Sequence, residues 1–210
     1  MEDNMAILIA DLSGYTALTE THGASAAADI VEKYLDIVQD SLVGDSRLHE
    51  RTGDEVMIVS TSADFLLATA NNLIQYSSAQ NNFLQVHGGL HYGKILTRNN
   101  NYFGTTLNLT ARIAKNAGPG SFWCSREYVS NLQQPTHFAI HSKGKQAFKN
   151  VREEHEVYEL VSTQRTVLHV DPVCKMLVDS TTSAIPHPAQ PNIFFCHQGC
   201  LDIYQGDELN

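Results

Sequence analysis

The chain has 210 residues and a formal net charge of −9, which argues against a nucleic-acid backbone as its main partner and bounds it to one ample domain or one domain plus a small module. No apolar run approaches membrane-spanning length, and Met1 is followed by Glu2 and Asp3 rather than by the basic segment of a secretory signal; a cytoplasmic location without a membrane partner is expected. Of the four cysteines, Cys174, Cys196 and Cys200 crowd toward the end, which in a cytoplasmic chain points to metal or redox chemistry more than to a disulfide frame.

The first element is a near-continuous apolar run, "MAILIA", which reads as a buried strand. It ends on a bare carboxylate, Asp11, and such an ending calls for a partner: a helix N-terminus, a lysine or a metal ion. Ser13 is placed to cap the next helix, whose stripe is Ile30, Val31, Tyr34, Leu35, Val38 and Leu42, and Gly44 stops it. Residues 46–61 read as two strands around a tight turn at Thr52-Gly53-Asp54. Residues 65–76 follow as a second helix. The stretch "LQVHGGLHYGKILT" predicts another hairpin, bending at Gly93, and Asn99 to Asn101 a polar loop. A third helix over 107–117 ends at Gly118-Pro119-Gly120. "SFWCS" is a short strand, and residues 138–142 and 156–160 a closing pair. Strands alternate with helices yet meet in hairpins, which predicts an α+β sandwich with a mainly antiparallel sheet. Residues 1–161 form the expected main domain and 162–170, polar and aperiodic, a linker. Residues 171–210, rich in proline, cysteine and aromatics, form a second module.

Two acids attract chemistry. Asp11 closes a strand and Asp54 sits at a hairpin turn; on neighbouring strand ends they can share a divalent cation, and Mg²⁺ favours one or two carboxylates with water and substrate phosphates. Read singly, Asp11 caps a helix and Asp54 is a turn acid. Asn108 and Arg112 lie four residues apart, on one helical face. An Arg fork suits phosphate oxygens; the plainer reading is a solvated helix surface. His87 and His91 share a strand face, and such a pair is more often polar surface than metal site.

"ILIADLSGYTALTE", "RTGDEVMIV", "VHGGLHYGKIL", "YFGTTLNLTARIAKNAGPG" and "FKNVREEHEVYEL" occur in the order found in class III nucleotidyl cyclases. The resemblance to this adenylate/guanylate cyclase homology domain covers about residues 6–160. It implies a ferredoxin-like cyclase fold that turns a nucleoside triphosphate into a 3′,5′-cyclic nucleotide and pyrophosphate with two Mg²⁺ or Mn²⁺. Asp11 and Asp54 match the metal aspartates, helped by the backbone carbonyl of Leu12. Asn108 would fix the ribose and Arg112 the α-phosphate in the transition state. Lys149 matches the lysine that grips the terminal phosphates, with Lys143 and Lys145 as rivals. The family completes its sites across a dimer interface, and this chain holds both halves, so a homodimer is implied. At the two base-reading positions stand Glu50, as in guanylate cyclases, and Asn101, which matches neither class. Glu50 can accept from guanine N1–H and its amine while Asn101 donates to O6, so GTP is slightly favoured over ATP. The alternative is a catalytically degenerate cyclase-like domain that binds nucleotide or dimerises in a metal-sensing signalling protein.

The tail, with "DPVCKM" and "FFCHQGC", is similar to YHS and TRASH metal-sensing modules, departing at Lys175 where a Gly is usual. On a short helix Cys196 and Cys200 lie one turn apart and can grip one ion with Cys174; soft thiolates select Zn²⁺ or Cu⁺. His197, which points off that face of an ideal helix, and His187 are the candidate fourth ligands. The plainer reading is three small buried hydrophobes, and Cys124 is expected to be simply packed. Metal or redox state at the tail would then bias the dimer.

Overall fold

The computed structural model describes residues 2–133, 139–161, 168–181 and 184–208. In chain order these form β1 (Glu2–Ser13), α1 (Tyr15–Ser41), β2 (Arg47–Thr52), β3 (Glu55–Ser60), α2 (Ala63–Ser78), β4 (Phe83–Arg98), β5 (Asn101–Phe103), α3 (Thr105–Asn116), β6 (Phe122–Ser125), α4 (Arg126–Val129), β7 (Ala139–Gln146) and β8 (His155–Val161). The tail adds β9 (His169–Val170), β10 (Met176–Val178), β11 (Ile185–Pro186), β12 (Phe194–Phe195) and α5 (Gln198–Glu208).

The main sheet runs β2-β3-β1-β4-β6-β8-β7. Only the β4–β6 pairing along this path is parallel. Strand alternation sorts β1 onto two faces. Ala6, Leu8, Ala10 and Leu12 join the core built with Tyr34 of α1 and Leu66 and Leu73 of α2. Met5, Ile7 and Ile9 join Val59, Ile95 and Ala114 of α3 on the other face. Leu8 is wholly buried, so truncating it to Ala would cost about 2–5 kcal/mol. The expected α+β architecture is therefore present, with α1 and α2 on one face and α3 on the other.

Two local expectations are corrected. The hairpin at Gly93 does not form: β4 is one strand of 16 residues, because β1 pairs it without interruption from Glu2↔Leu96 to Ser13↔Gln85. Its glycines serve close approach instead. A Cβ at Gly89 would stand 2.3 Å from the Ala114 backbone nitrogen, and one at Gly93 2.8 Å from Thr106 Oγ1, so α3 lies directly on the β4 backbone. The chain turns later, at Asn99 and Asn100, whose φ of 51° and 59° suit the tight β4–β5 hairpin. Gly14, at φ 91°, occupies the position before α1 in place of Ser13, which stays in β1 with its Oγ 2.9 Å from His87 Nδ1. Within α1, Gly23 (φ 83°, ψ 171°) breaks the helix after two turns.

Phe138 of the expected closing pair and residues 162–167 of the expected linker lie outside the described residues. Residues 169–170 form β9, which pairs β10, and β10 pairs β4 through Met176↔Leu84. Cys174, Met176, Phe195 and Cys200 share the apolar core of α1 and α2. No helix among the described residues is long and apolar enough to cross a membrane.

Candidate functional site

The register of β1 and β3, ending at Ala10↔Val56, brings the end of one strand beside the turn that opens the other. Asp11 and Asp54 meet there and share a hydrogen bond. Gly53 (φ 65°) makes the turn that delivers Asp54; a Cβ there would meet no atom, so the backbone conformation alone calls for glycine. Burial raises the Asp11 carboxyl above its ordinary value. Burial, and then the charge of Asp11, push Asp54 up to about 6. Burial and Asp54 also raise the adjacent Glu55. None of the ion pairs among the described residues involves Asp11 or Asp54. Two half-buried carboxyls in contact must share a proton or a cation, and this is the chemistry of a hard divalent site: the residues fit Mg²⁺ or Mn²⁺.

The surroundings complete the field. The Leu12 backbone N–H donates to Asp11 Oδ1 at 3.0 Å. Burial holds the His87 imidazole below its ordinary value, hence neutral. Tyr34 is wholly buried, its phenol raised by burial and by Asp11 and Asp54; its hydroxyl finds no hydrogen-bond partner among the described residues.

Two clefts flank α3. One, of about 220 Å³, is lined by Glu50, Glu55, Leu107 and Asn108. The other, of about 320 Å³, is lined by Asp11, Glu55, His87, Arg112 and Lys115. Glu55 and Ala111 border both, so Glu50, Asn108, Asp11 and Arg112 gather around adjoining depressions of a single chain. Asn101 and Lys149 line neither: Asn101 is exposed at the start of β5, and Lys149 is exposed beside Phe148, whose ring packs on Leu109 and Ile113 of α3. Lys143 is engaged with Glu159 at 3.2 Å and lies over the Trp123 ring; Lys145 is exposed on β7. Sequence reasoning missed Glu55 and Tyr34 as site residues and set His87 down as polar surface, whereas it lines the cleft beside Asp11. Adjacency to Asp54 could have flagged Glu55; nothing local ties Tyr34 to the site.

The tail cysteines converge. Cys196 Sγ stands 3.5 Å from Cys174 Sγ and 3.6 Å from Cys200 Sγ. Cys196 precedes α5 instead of opening it, so a bend at His197, and not one helical turn, brings the pair together. His197 Nδ1 accepts the Cys200 N–H at 3.2 Å. His187 Nδ1 accepts the N–H of Ala189 and Gln190. Neither joins the sulfurs. The fourth corner belongs to His22 of α1, its Nε2 3.6 Å from Cys196 Sγ and 3.7 Å from Cys200 Sγ. Buried Asp171 binds the cluster's backbone: Oδ1 accepts from Val173 and Cys174, Oδ2 from Cys196. Burial opposes its ionisation, but these three N–H groups outweigh burial and hold the carboxyl below its usual range. Lys175 takes a φ of 68°, a left-handed conformation that glycine adopts freely, so the backbone here suits the glycine that the resemblance leads one to expect, and nothing in the structure explains the lysine. A hydrogen bond from Cys196 lowers Cys174 to about 6, while burial pushes Cys200 up to about 12. Cys124 is buried and likewise pushed up to about 12, an inert packed thiol.

No family model matches the chain. An uncharacterised protein of Mycobacterium tuberculosis is 39% identical over 112 residues, 53% of this chain and 30% of that protein. An adenylate cyclase of Glutamicibacter nicotianae is 27% identical over 139 residues, 64% of this chain and 34% of that enzyme. The chain thus spans about a third of the length of these curated relatives. Among solved structures, a Trypanosoma brucei adenylate cyclase in its monomeric state superposes with a TM-score of 0.70 at 19% identity, covering 75% of this chain and 88% of that one. The sheet and its flanking helices therefore carry the fold of the adenylate/guanylate cyclase homology domain.

Proposed function

We propose that the protein is a class III nucleotidyl cyclase, converting a nucleoside triphosphate into a 3′,5′-cyclic nucleotide and pyrophosphate. The observation that carries this reading is the contact between Asp11 and Asp54 at the sheet end. Asp11, Asp54 and the Leu12 carbonyl would hold Mg²⁺ or Mn²⁺. Such ions, when bound, acidify the ribose 3′-hydroxyl and offset phosphate charge.

This chain's own residues do the rest. Asn108 holds the ribose in line with the α-phosphate. Arg112 donates two hydrogen bonds to the α-phosphate oxygens as charge builds there, an interaction whose loss typically costs about 2–4 kcal/mol of barrier. Lys149 reaches the terminal phosphates from the loop after Phe148. Glu50 accepts from guanine N1–H and its amine; adenine offers a ring acceptor there and would leave the carboxylate unpaired. With Asn101 donating to O6, GTP is slightly preferred over ATP. A homodimer places the Asn108 and Arg112 of one subunit opposite the Asp11 and Asp54 of its partner, in the cytoplasm. Residues 1–161 are the catalytic domain, 162–170 the linker, and 171–210 a module whose Cys174, Cys196 and Cys200 take a soft metal ion. The relatives named as adenylate cyclases support the reaction class.

The test is incubation with GTP or ATP and Mn²⁺ or Mg²⁺, with cyclic nucleotide resolved by chromatography and Asp54→Ala as control. Product from wild type alone supports the reading. No product from any pairing replaces it with a cyclase-like domain that only binds nucleotide or dimerises.

A further inference from the structure

We infer that His22 is the fourth ligand of a closed Cys₃His zinc site that clamps the tail onto the first two turns of α1. This rests on the reading of Cys174, Cys196 and Cys200 as a soft-metal site and adds a ligand from the catalytic fold itself.

The argument is geometric. With Zn–S of about 2.3 Å and Zn–N of about 2.0–2.1 Å, a regular tetrahedron has S···S edges of about 3.8 Å and S···N edges of about 3.6 Å. Four of the six edges are close to these values: Cys196 Sγ stands 3.5 and 3.6 Å from the Sγ of Cys174 and Cys200, and His22 Nε2 stands 3.6 and 3.7 Å from the Sγ of Cys196 and Cys200. All four donor atoms lie within 4.8 Å of one another. They come from three separate segments: α1, the turn before β10, and the β12–α5 junction. Convergence of a ring nitrogen on three sulfurs from such distant segments is not a by-product of local spacing.

Three surrounding features hold the ligands in place. Gly23, next to His22, adopts φ 83° and ψ 171°, a region essentially reserved for glycine. That break ends the first helical turns where the histidine meets the sulfurs. Asp171 fixes the backbone of Cys174 and Cys196 together, the outer-sphere role that orients ligands in metal sites. The site is half-buried, Cys174 and Cys200 wholly so, which suits a four-ligand structural ion with no open position. Sulfur-rich tetrahedral geometry selects Zn²⁺ among the common divalent ions.

The clamp touches the end of the strand that carries Asp11. Lys175 packs against Gly14, where a Cβ would lie 2.4 Å from the Lys175 Cβ. Gly14 directly follows β1 and stands three residues after Asp11. The clamped segment, Tyr15 to His22, thus begins just past the end of β1.

The experiment uses the full reduced chain, stripped with a chelator and reconstituted with Zn²⁺ or Co²⁺ alone. Wild type should take up about one equivalent and melt at a higher temperature than the stripped protein. His22→Ala should weaken Zn²⁺ binding by at least about 100-fold, the upper range for loss of a mere outer-sphere partner. It should change the Co²⁺ ligand-field bands while three-thiolate charge transfer remains. His22→Cys should restore tight binding with a four-thiolate spectrum, which separates ligation from misfolding. If His22→Ala matches wild type in Zn²⁺ affinity and Co²⁺ spectrum, this inference falls and the three-cysteine reading stands. If wild type takes up no metal, both fall.

Discussion

Asp54→Asn should make the protein more stable while removing its metal response. The Asp54 carboxyl rises from 3.8 to about 6 through burial and the charge of Asp11. Two units correspond to about 3 kcal/mol, but the group is about half exposed, and solvent screening reduces this to about 1 kcal/mol. The sign follows from proton binding. Between pH 3.8 and about 6 the folded protein holds a proton on Asp54 that the unfolded chain has released, so stability falls as pH rises through that window. Above it the full penalty remains; below pH 3.8 both states are protonated and none does. The amide keeps the shape and sheds the charge. Thermal melts in buffer free of Mg²⁺ and Mn²⁺ should place the variant about 2–4 °C above wild type at pH 7.5 and level with it near pH 3.5. Adding Mn²⁺ should raise the wild-type melting temperature by mass action and leave the variant's nearly unchanged. A variant less stable at pH 7.5, or one that gains as much from Mn²⁺, would refute the account of two carboxylates held together for a cation.

Mixing Asp54→Ala with Arg112→Ala, each inactive alone, should recover about a quarter of wild-type cyclic nucleotide formation, because half the dimers are mixed and each has one whole site; no recovery would argue that the site is completed within one chain. His91 is buried, bonded to Ser125 at 2.7 Å, and burial lowers its pKa from 6.5 to about 4. Above pH 6.5 it is neutral in both states; as pH falls toward 4 the unfolded chain takes the proton first, and stability drops by up to about 3 kcal/mol. Urea midpoints at pH 7 and 4.5 should show a smaller drop in His91→Gln, and equal drops would count against it. Tyr34→Phe removes a buried hydroxyl without a hydrogen-bond partner among the described residues, so the unfolding free energy from urea titration should rise by about 1 kcal/mol or more; a fall would mean the hydroxyl is bonded in solution.

Local pattern made much of the molecule legible. The continuous apolar run of β1, ending on Asp11, and the turn at Gly53 foretold two strands with an acid at the end of each, and the spacing of Asn108 and Arg112 foretold one helical face. These are properties of neighbours in sequence, written in apolar runs, turn residues and the helical period of 3.6 residues. What tertiary structure alone decided involves partners far apart along the chain. Gly93 continues a strand because β1 pairs β4 along its whole length, although the glycine reads locally as a bend. Tyr34 is buried close enough to Asp11 and Asp54 for their charge to reach its phenol, and Asn101 stays outside the clefts, through packing that no local period encodes. Nor could spacing find His22, 174 residues before Cys196: a ligand's place in a tetrahedron depends on where α1 crosses the tail, and that is set by the core beneath them both.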